Sequence, residues 1–216
     1  MRFEHKDLLD IESLSVKDIT MILDTAEGMK EISSRPVKKV PTLRGKTIVL
    51  FFQEPSTRTK ISFDIAAKRL SADTIAISSG SSSIVKGETL IDTAKNLESM
   101  NPDIIVIRHP SSGAAELIAR RVKASVVNAG DGLHAHPTQS LLDMMSVRER
   151  KGRIEGLNIS IIGDIAHSRV ARSNIEGFTK MGATVTVAAP PTMIPKGIET
   201  LGCRVAPDID SCIDNA

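Results

Sequence analysis

A chain of 216 residues that is 41% hydrophobic, with 28 Lys and Arg against 26 Asp and Glu and a formal net charge of +2, holds enough apolar material for one large or two small cores and lacks the charge excess of a nucleic-acid or polyanion binder. Its basic residues are spread along the chain, so any anion site is expected to be local. No window reaches the apolar length of a membrane span, and MRFEHKDLLD has no signal-peptide core, so a soluble, cytoplasmic protein with no nucleic-acid or membrane partner is expected.

In chain order, Ser15 precedes VKDITMILDTAEGMKEI, whose apolar residues recur at helical spacing behind a capping residue. RPVKKVPTLRG breaks that pattern with prolines and charge. Then KTIVLFF predicts a strand, TRTKISFDIAAKRL a helix, DTIAI a strand, GETLIDTAKNLESM a helix, DIIVIR a strand, GAAELIARRV a helix, SVVNA a strand and HPTQSLLDMMSVRERKG a helix. Short β-branched runs alternating with amphipathic helices predict an α/β fold, parallel sheets flanked by helices. After KGRIEG the pattern restarts with LNISIIG, a helix through SRVARSNIEGFTKMG and ATVTVAAP. The charged stretch from Lys151 to Gly156 is the expected boundary between a first domain, 1–150, and a second, 151–216. Cys203 and Cys212 have no paired metal spacing and read as small apolar residues, so neither a disulfide nor a metal is expected.

Ligands of open parallel sheets bind beyond the carboxyl ends of the strands, where loops gather and helix N-termini present free N–H groups. Those loops carry Ser56, Thr57, Arg58 and Thr59 after the first strand, Ser82 and Lys86 after the second, Arg108 and His109 after the third, and His136 and Gln139 after the fourth. Hydroxyls at a helix start with two arginines and a lysine suit a phosphate, because guanidinium groups grip oxygens in bidentate fashion. Taken singly, each has a plainer reading. Ser56 or Thr57 caps a helix, His136 caps or packs beside Pro137, Lys86 is a solvated charge, and His109, His134 and His167 are structural. IIGDIAHSRV has a single glycine at its strand exit and no GxGxxG, which argues against a dinucleotide site.

The segments EPSTRTKISFDIAAKRL, SSSIVKGETLIDTA, VIRHPSSGAA, NAGDGLHAHPTQSLLDM and GDIAHSRVARSN, in this order, resemble the successive signatures of aspartate carbamoyltransferase catalytic chains, within the aspartate/ornithine carbamoyltransferase superfamily. Ser-Thr-Arg-Thr resembles all carbamoyltransferases. Thr138 in HPTQ, where ornithine enzymes carry cysteine, and the second-domain segment resemble the aspartate type. The resemblance implies a carbamoyl-phosphate-binding first domain and, in the second, the N-terminal part of a Rossmann-like aspartate-binding domain that is incomplete here, so that this chain alone is expected to be inactive. It implies transfer of the carbamoyl group from carbamoyl phosphate to the α-amino group of L-aspartate, giving N-carbamoyl-L-aspartate and phosphate in pyrimidine biosynthesis, without a cofactor.

By that resemblance Ser56, Thr57, Arg58 and Thr59 hold the phosphate, and Arg58 also stabilises the leaving group. Thr59, Arg108 and His136 point at the carbonyl oxygen, and Gln139 meets the carbamoyl nitrogen. Ser82 and Lys86 join the site from a neighbouring subunit of a homotrimer, Lys86 and Arg169 serve aspartate, and a regulatory or dihydroorotase partner is compatible. Lys60 and Ser71 depart from the arginine and glycine common in the family. Two other readings stand: a carbamoyl-phosphate-binding or oligomer-forming module without turnover, and a carbamoyltransferase with another amine acceptor.

Overall fold

The computed structural model describes residues 3–78, 88–214 and 216. Backbone packing gathers the chain into two compact units, Met1–Leu9 with Thr25–His134 and Asp10–Asp24 with Ala135–Ala216. The first helix, α1 (Val16–Ser34), begins in the second unit and ends in the first.

The first unit alternates β1 (Thr47–Phe52), α2 (Thr57–Arg69), β2 (Asp73–Ser78), α3 (Leu90–Ser99), β3 (Ile104–His109), α4 (Ala114–Ala119) and β4 (Ser125–Asp131). Its four strands are parallel in the order β2-β1-β3-β4. Because successive strand residues point to opposite faces, β1 supplies two cores. Val49 and Phe51 pack with Ile105, Ile107 and Val126 and with apolar residues of α3 and α4 such as Leu97 and Ile118. Ile48, Leu50 and Phe52 pack on the other face with Ala67 of α2. With helices on both faces, the sheet has only its strand ends free to carry a site, and β1 and β3, side by side at its centre, bring Phe52 level with Arg108.

α2 ends at Arg69, and the turn to β2 places Ser71 at φ 67, a left-handed conformation in which a side chain is disfavoured. Its Oγ donates to Val40 O at 2.9 Å, which offsets part of that cost.

The second unit holds α5 (Pro137–Lys151), β5 (Asn158–Ile162), α6 (Arg169–Lys180), β6 (Thr184–Ala188), β7 (Arg204–Val205) and α7 (Ile209–Ile213), with parallel strands in the order β5-β6-β7. Lys180, at the end of α6, donates through Nζ to the carbonyls of Ile11, Glu12 and Leu14 at 3.0, 2.7 and 2.7 Å. The two-residue β7 and the short α7 are additions to the predicted elements.

The sequence reading draws its boundary at 150/151, at the last residue of α5, whereas packing groups α5 with α6 in the second unit. The reason is close approach. A Cβ added at Gly177 of α6 would lie 2.7 Å from Ser140 Oγ and 3.0 Å from Met144 Cε of α5, and Ser140 Oγ donates to Ser173 O at 2.9 Å. Among the described residues no helix is long and apolar enough to cross a membrane. Both cysteines are buried.

Candidate active site

In the first unit, the buried apolar strand β1 delivers the chain to α2 through Gln53, Glu54 and Pro55. Ser56 occupies the N-cap position, yet its side chain makes no capping bond. Its Oγ donates instead to Thr59 Oγ1 at 2.9 Å. The first turn of α2 contains no acidic residue and carries Arg58 exposed to solvent. The first turn of this 13-residue helix therefore has no capping oxygen from the Ser56 side chain and no acidic residue of its own, and the hydroxyls of Ser56, Thr57 and Thr59 and the Arg58 guanidinium lie at this end of the chain segment.

Arg108 leaves the neighbouring strand at the same level, with Gln53 N donating to Arg108 O at 2.8 Å. Its side chain, only 12% exposed, donates through Nη1 to Ala129 O at 3.2 Å and through Nη2 to Glu54 Oε1. Its Nε is buried with no hydrogen-bond partner among the described residues. Glu54 therefore holds Arg108 in place, and an anion arriving here competes with that carboxylate for the guanidinium. Ser82 and Lys86 lie outside the described residues.

The histidines given the plainer reading all have local partners. His109 Nδ1 accepts from Ser111 N at 2.9 Å, and burial keeps its pKa below the ordinary histidine value. His134 Nδ1 lies 3.1 Å from Oδ2 of the buried Asp131, which also accepts from Gly113 N and Asn128 Nδ2. His167 Nδ1 lies 2.9 Å from Asp164 Oδ2.

In the second unit, His136 is the buried N-cap residue of α5, with Pro137 in the first turn. Its backbone N–H donates to Ser173 Oγ of α6 at 3.0 Å. Thr138 Oγ1 lies 3.4 Å from His136 Nδ1. Gln139 follows one residue later, and its Nε2 donates to Asp143 Oδ1 at 2.9 Å. Asn174 Nδ2 of α6 donates to Asp143 Oδ2 at 2.7 Å. Arg169 opens α6 directly after Ser168, whose side chain accepts from Ala171 N at 3.0 Å as a regular N-cap.

The described site residues thus form two sets: Ser56, Thr57, Arg58, Thr59 and Arg108 in the first unit, His136, Gln139 and Arg169 in the second. Sequence reasoning missed Glu54, Ser173, Asp143 and Asn174. Only Asp143 carried a local signal, an acid four residues after Gln139 on one helix face.

The carbamoyl-phosphate-binding domain of aspartate/ornithine carbamoyltransferases matches residues 6–149. The chain belongs to that family. It is 81% identical over 216 residues to the aspartate carbamoyltransferase catalytic subunit of Desulforapulum autotrophicum, covering all of this chain and 69% of that one. To the same subunit of Desulfosudis oleivorans it is 66% identical, covering all of this chain and 70% of the relative. Among solved carbamoyltransferases, the catalytic subunit of M. Jannaschii aspartate transcarbamoylase superposes with a TM-score of 0.85 at 35% identity, covering 98% of this chain and 71% of that one. The Trypanosoma cruzi aspartate transcarbamoylase in complex with carbamoyl phosphate and aspartate gives 0.84 at 30% identity, over 92% of this chain and 65% of that one. The carbamoyltransferase resemblance read from the motifs and the parallel α/β architecture both hold.

Proposed function

We infer that the chain serves carbamoyl transfer from carbamoyl phosphate to the α-amino group of L-aspartate, giving N-carbamoyl-L-aspartate and phosphate for pyrimidine synthesis. The observation that carries the reading is the start of α2, where Ser56 turns its hydroxyl to Thr59 instead of capping, within a segment matched by the carbamoyl-phosphate-binding domain. Attack of the amine builds negative charge on the carbonyl oxygen and then on the departing phosphate. Such a reaction needs fixed donors and no nucleophilic side chain.

In this reading residues 1–150 bind carbamoyl phosphate and 151–216 form the beginning of the aspartate-binding domain. Ser56, Thr57, Arg58 and Thr59 hold the phosphate. Thr59, Arg108 and His136 meet the carbonyl oxygen, Gln139 the carbamoyl nitrogen and Arg169 an aspartate carboxylate. Arg108 exchanges Glu54 for the substrate. Ser82 and Lys86 reach the site of a neighbouring subunit in a cytoplasmic homotrimer. An apolar groove of about 420 Å³ in the first unit, lined by residues including Met29, Ile32, Val40, Ala66 and Leu70, supports self-association, as do the exposed Ile61, Ile65 and Ile75.

Calorimetric titration with carbamoyl phosphate and then succinate, beside a carbamoylation assay with aspartate and ornithine as acceptors, tests the reading. Binding of carbamoyl phosphate with little or no succinate binding or turnover is expected of this chain, and a preference for aspartate of a chain extended to the length of its curated relatives. Failure to bind carbamoyl phosphate, or carbamoylation of ornithine in preference, overturns it. For the shared site, chains extended to the length of the curated relatives and bearing either Arg58→Ala or Lys86→Ala are mixed after dissociation. Partial recovery of activity is expected, and none after re-formed trimers removes the intersubunit role of Lys86.

A further inference from the structure

Gln139, Asp143 and Asn174 form a chain of polar side chains inside the second unit. Gln139 and Asp143 are four residues apart on α5, and Asn174 reaches across from α6. Both oxygens of Asp143 are engaged, Oδ1 by Gln139 Nε2 at 2.9 Å and Oδ2 by Asn174 Nδ2 at 2.7 Å. An ionised carboxylate only accepts hydrogen bonds, so each amide must turn its NH2 group toward it. Asn174 keeps that orientation although its buried Oδ1 then has no partner among the described residues. The carboxylate governs both amides.

For Gln139 the consequence is chemical. With Nε2 bound to Asp143, the free end of the amide is Oε1, an acceptor. A carbamoyl group differs from an acetyl group by an NH2 in place of CH3, that is, by a donor. An acceptor held toward that position pairs with the carbamoyl nitrogen and is left without a partner by an acyl group. Were Gln139 free to flip, Nε2 could face the ligand, donor against donor. We propose that Asp143, braced by Asn174, is a positioning residue that holds the Gln139 amide with its oxygen toward the substrate and so selects carbamoyl over acyl phosphates. The proposal rests on the reading in which Gln139 meets the carbamoyl nitrogen.

The test compares two stable probes, phosphonoacetamide and acetonylphosphonate, which differ only by NH2 against CH3 on the carbonyl carbon. Calorimetry on the unaltered chain is expected to show phosphonoacetamide bound about five- to tenfold more tightly, the scale of one hydrogen bond. Asp143→Leu, of similar size but with no acceptor, should bring the ratio near one by weakening phosphonoacetamide, with acetonylphosphonate held within about twofold and serving as the control for an intact site. Asp143→Asn retains an oxygen that accepts from Nε2 and should keep most of the preference. A structural role alone would weaken both probes together.

Gln139→Ala separates the two levels of the argument. If it abolishes the preference while Asp143→Leu keeps it, the positioning role is overturned and the Gln139 reading stands. If Gln139→Ala keeps the full preference, the Gln139 reading falls and the positioning role with it. Equal loss in Asp143→Asn and Asp143→Leu overturns the acceptor argument, and an absence of binding or of preference in the unaltered chain overturns both. Should Asp143→Leu fail to fold, Asn174→Ala, which releases Oδ2, is expected to lower the ratio about two- to threefold, and an unchanged ratio there also overturns the proposal.

Discussion

Each unit contains a strand, a turn and a helix that leads back to a parallel strand, β1–α2–β2 in the first and β5–α6–β6 in the second, and the two turns are finished in opposite ways. At the start of α6, Ser168 caps Ala171 N, and Asp164 takes both the backbone N–H and the ring nitrogen of His167. Two donors of that turn, the N–H groups of His167 and Ala171, are paired with its own side chains. At the start of α2, Ser56 spends its hydroxyl on Thr59, and no acid enters the first turn. The same serine position thus caps its helix in one unit and turns to a neighbouring hydroxyl in the other. A helix start that satisfies itself is a structural joint, and one that does not is a place for an anion.

The largest expected effect follows from removing the cation of the open turn. In a chain extended to the length of its curated relatives, Arg58→Ala should slow carbamoyl transfer by about 10²- to 10³-fold, the scale of losing one donor to a developing anion, with little change in succinate affinity. Arg169→Ala, its counterpart at the closed turn, should in the same extended chain weaken succinate while phosphonoacetamide still binds. Steady-state rates and calorimetry on the two variants check the pair, and matching losses in both would erase the distinction between the turns.

The far ends of the two helices offer the next contrast. Gly182, after α6, has φ +84, and an added Cβ would lie 3.1 Å from Glu155 Cγ. Ser71, after α2, adopts φ 67 with its hydroxyl bound to Val40 O. Gly182→Ser should cost about 1–2 kcal/mol in urea unfolding, since a side chain is forced into the left-handed region. Ser71→Gly should stay within about 1 kcal/mol of the parent, because relief of strain and loss of a hydrogen bond oppose each other.

Capping itself is tested by the two serines. Ser168→Ala should destabilise the chain by about 1 kcal/mol through loss of the cap. Ser56→Ala should leave the unfolding midpoint nearly unchanged and weaken phosphonate binding. A stability loss at Ser56 as large as at Ser168 would show that the open turn is capped in solution after all.

The smallest effect concerns pH. Burial alone would raise the pKa of Asp164, but the His167 backbone N–H and ring hold it below the usual aspartate value. A carboxylate lowered in the folded state contributes stability that is present above its unfolded pKa and lost as pH falls through the folded one. Asp164→Asn should therefore be slightly less stable at neutral pH, and the gap should close in the acid range below the usual aspartate value. Urea midpoints measured across that range decide it. A gap that stays constant would mean that the pairing with His167 contributes nothing.

Local pattern was enough for much of this. β-branched runs and amphipathic spacing identified β1 to β6 and α1 to α6, because strand and helix periods are properties of neighbouring residues. β7 escaped because two residues, Arg204 and Val205, show no period, and α7 because five residues complete little more than one turn. His109, His134 and His167 each sit against a partner near in sequence, respectively Ser111, Asp131 and Asp164.

By itself, then, the sequence determined the α/β alternation, the family and the strand exits at which polar groups collect, since all three are written in residues close together along the chain. Only the tertiary structure decided that Ser56 gives its hydroxyl to Thr59, that Glu54 occupies Arg108, that α5 packs with the second unit, and that Asp143 accepts from both the Gln139 and the Asn174 amide. Those outcomes depend on groups brought together from distant positions or on a choice between equally near partners. Residue order lists such candidates, and packing and hydrogen-bond geometry choose among them.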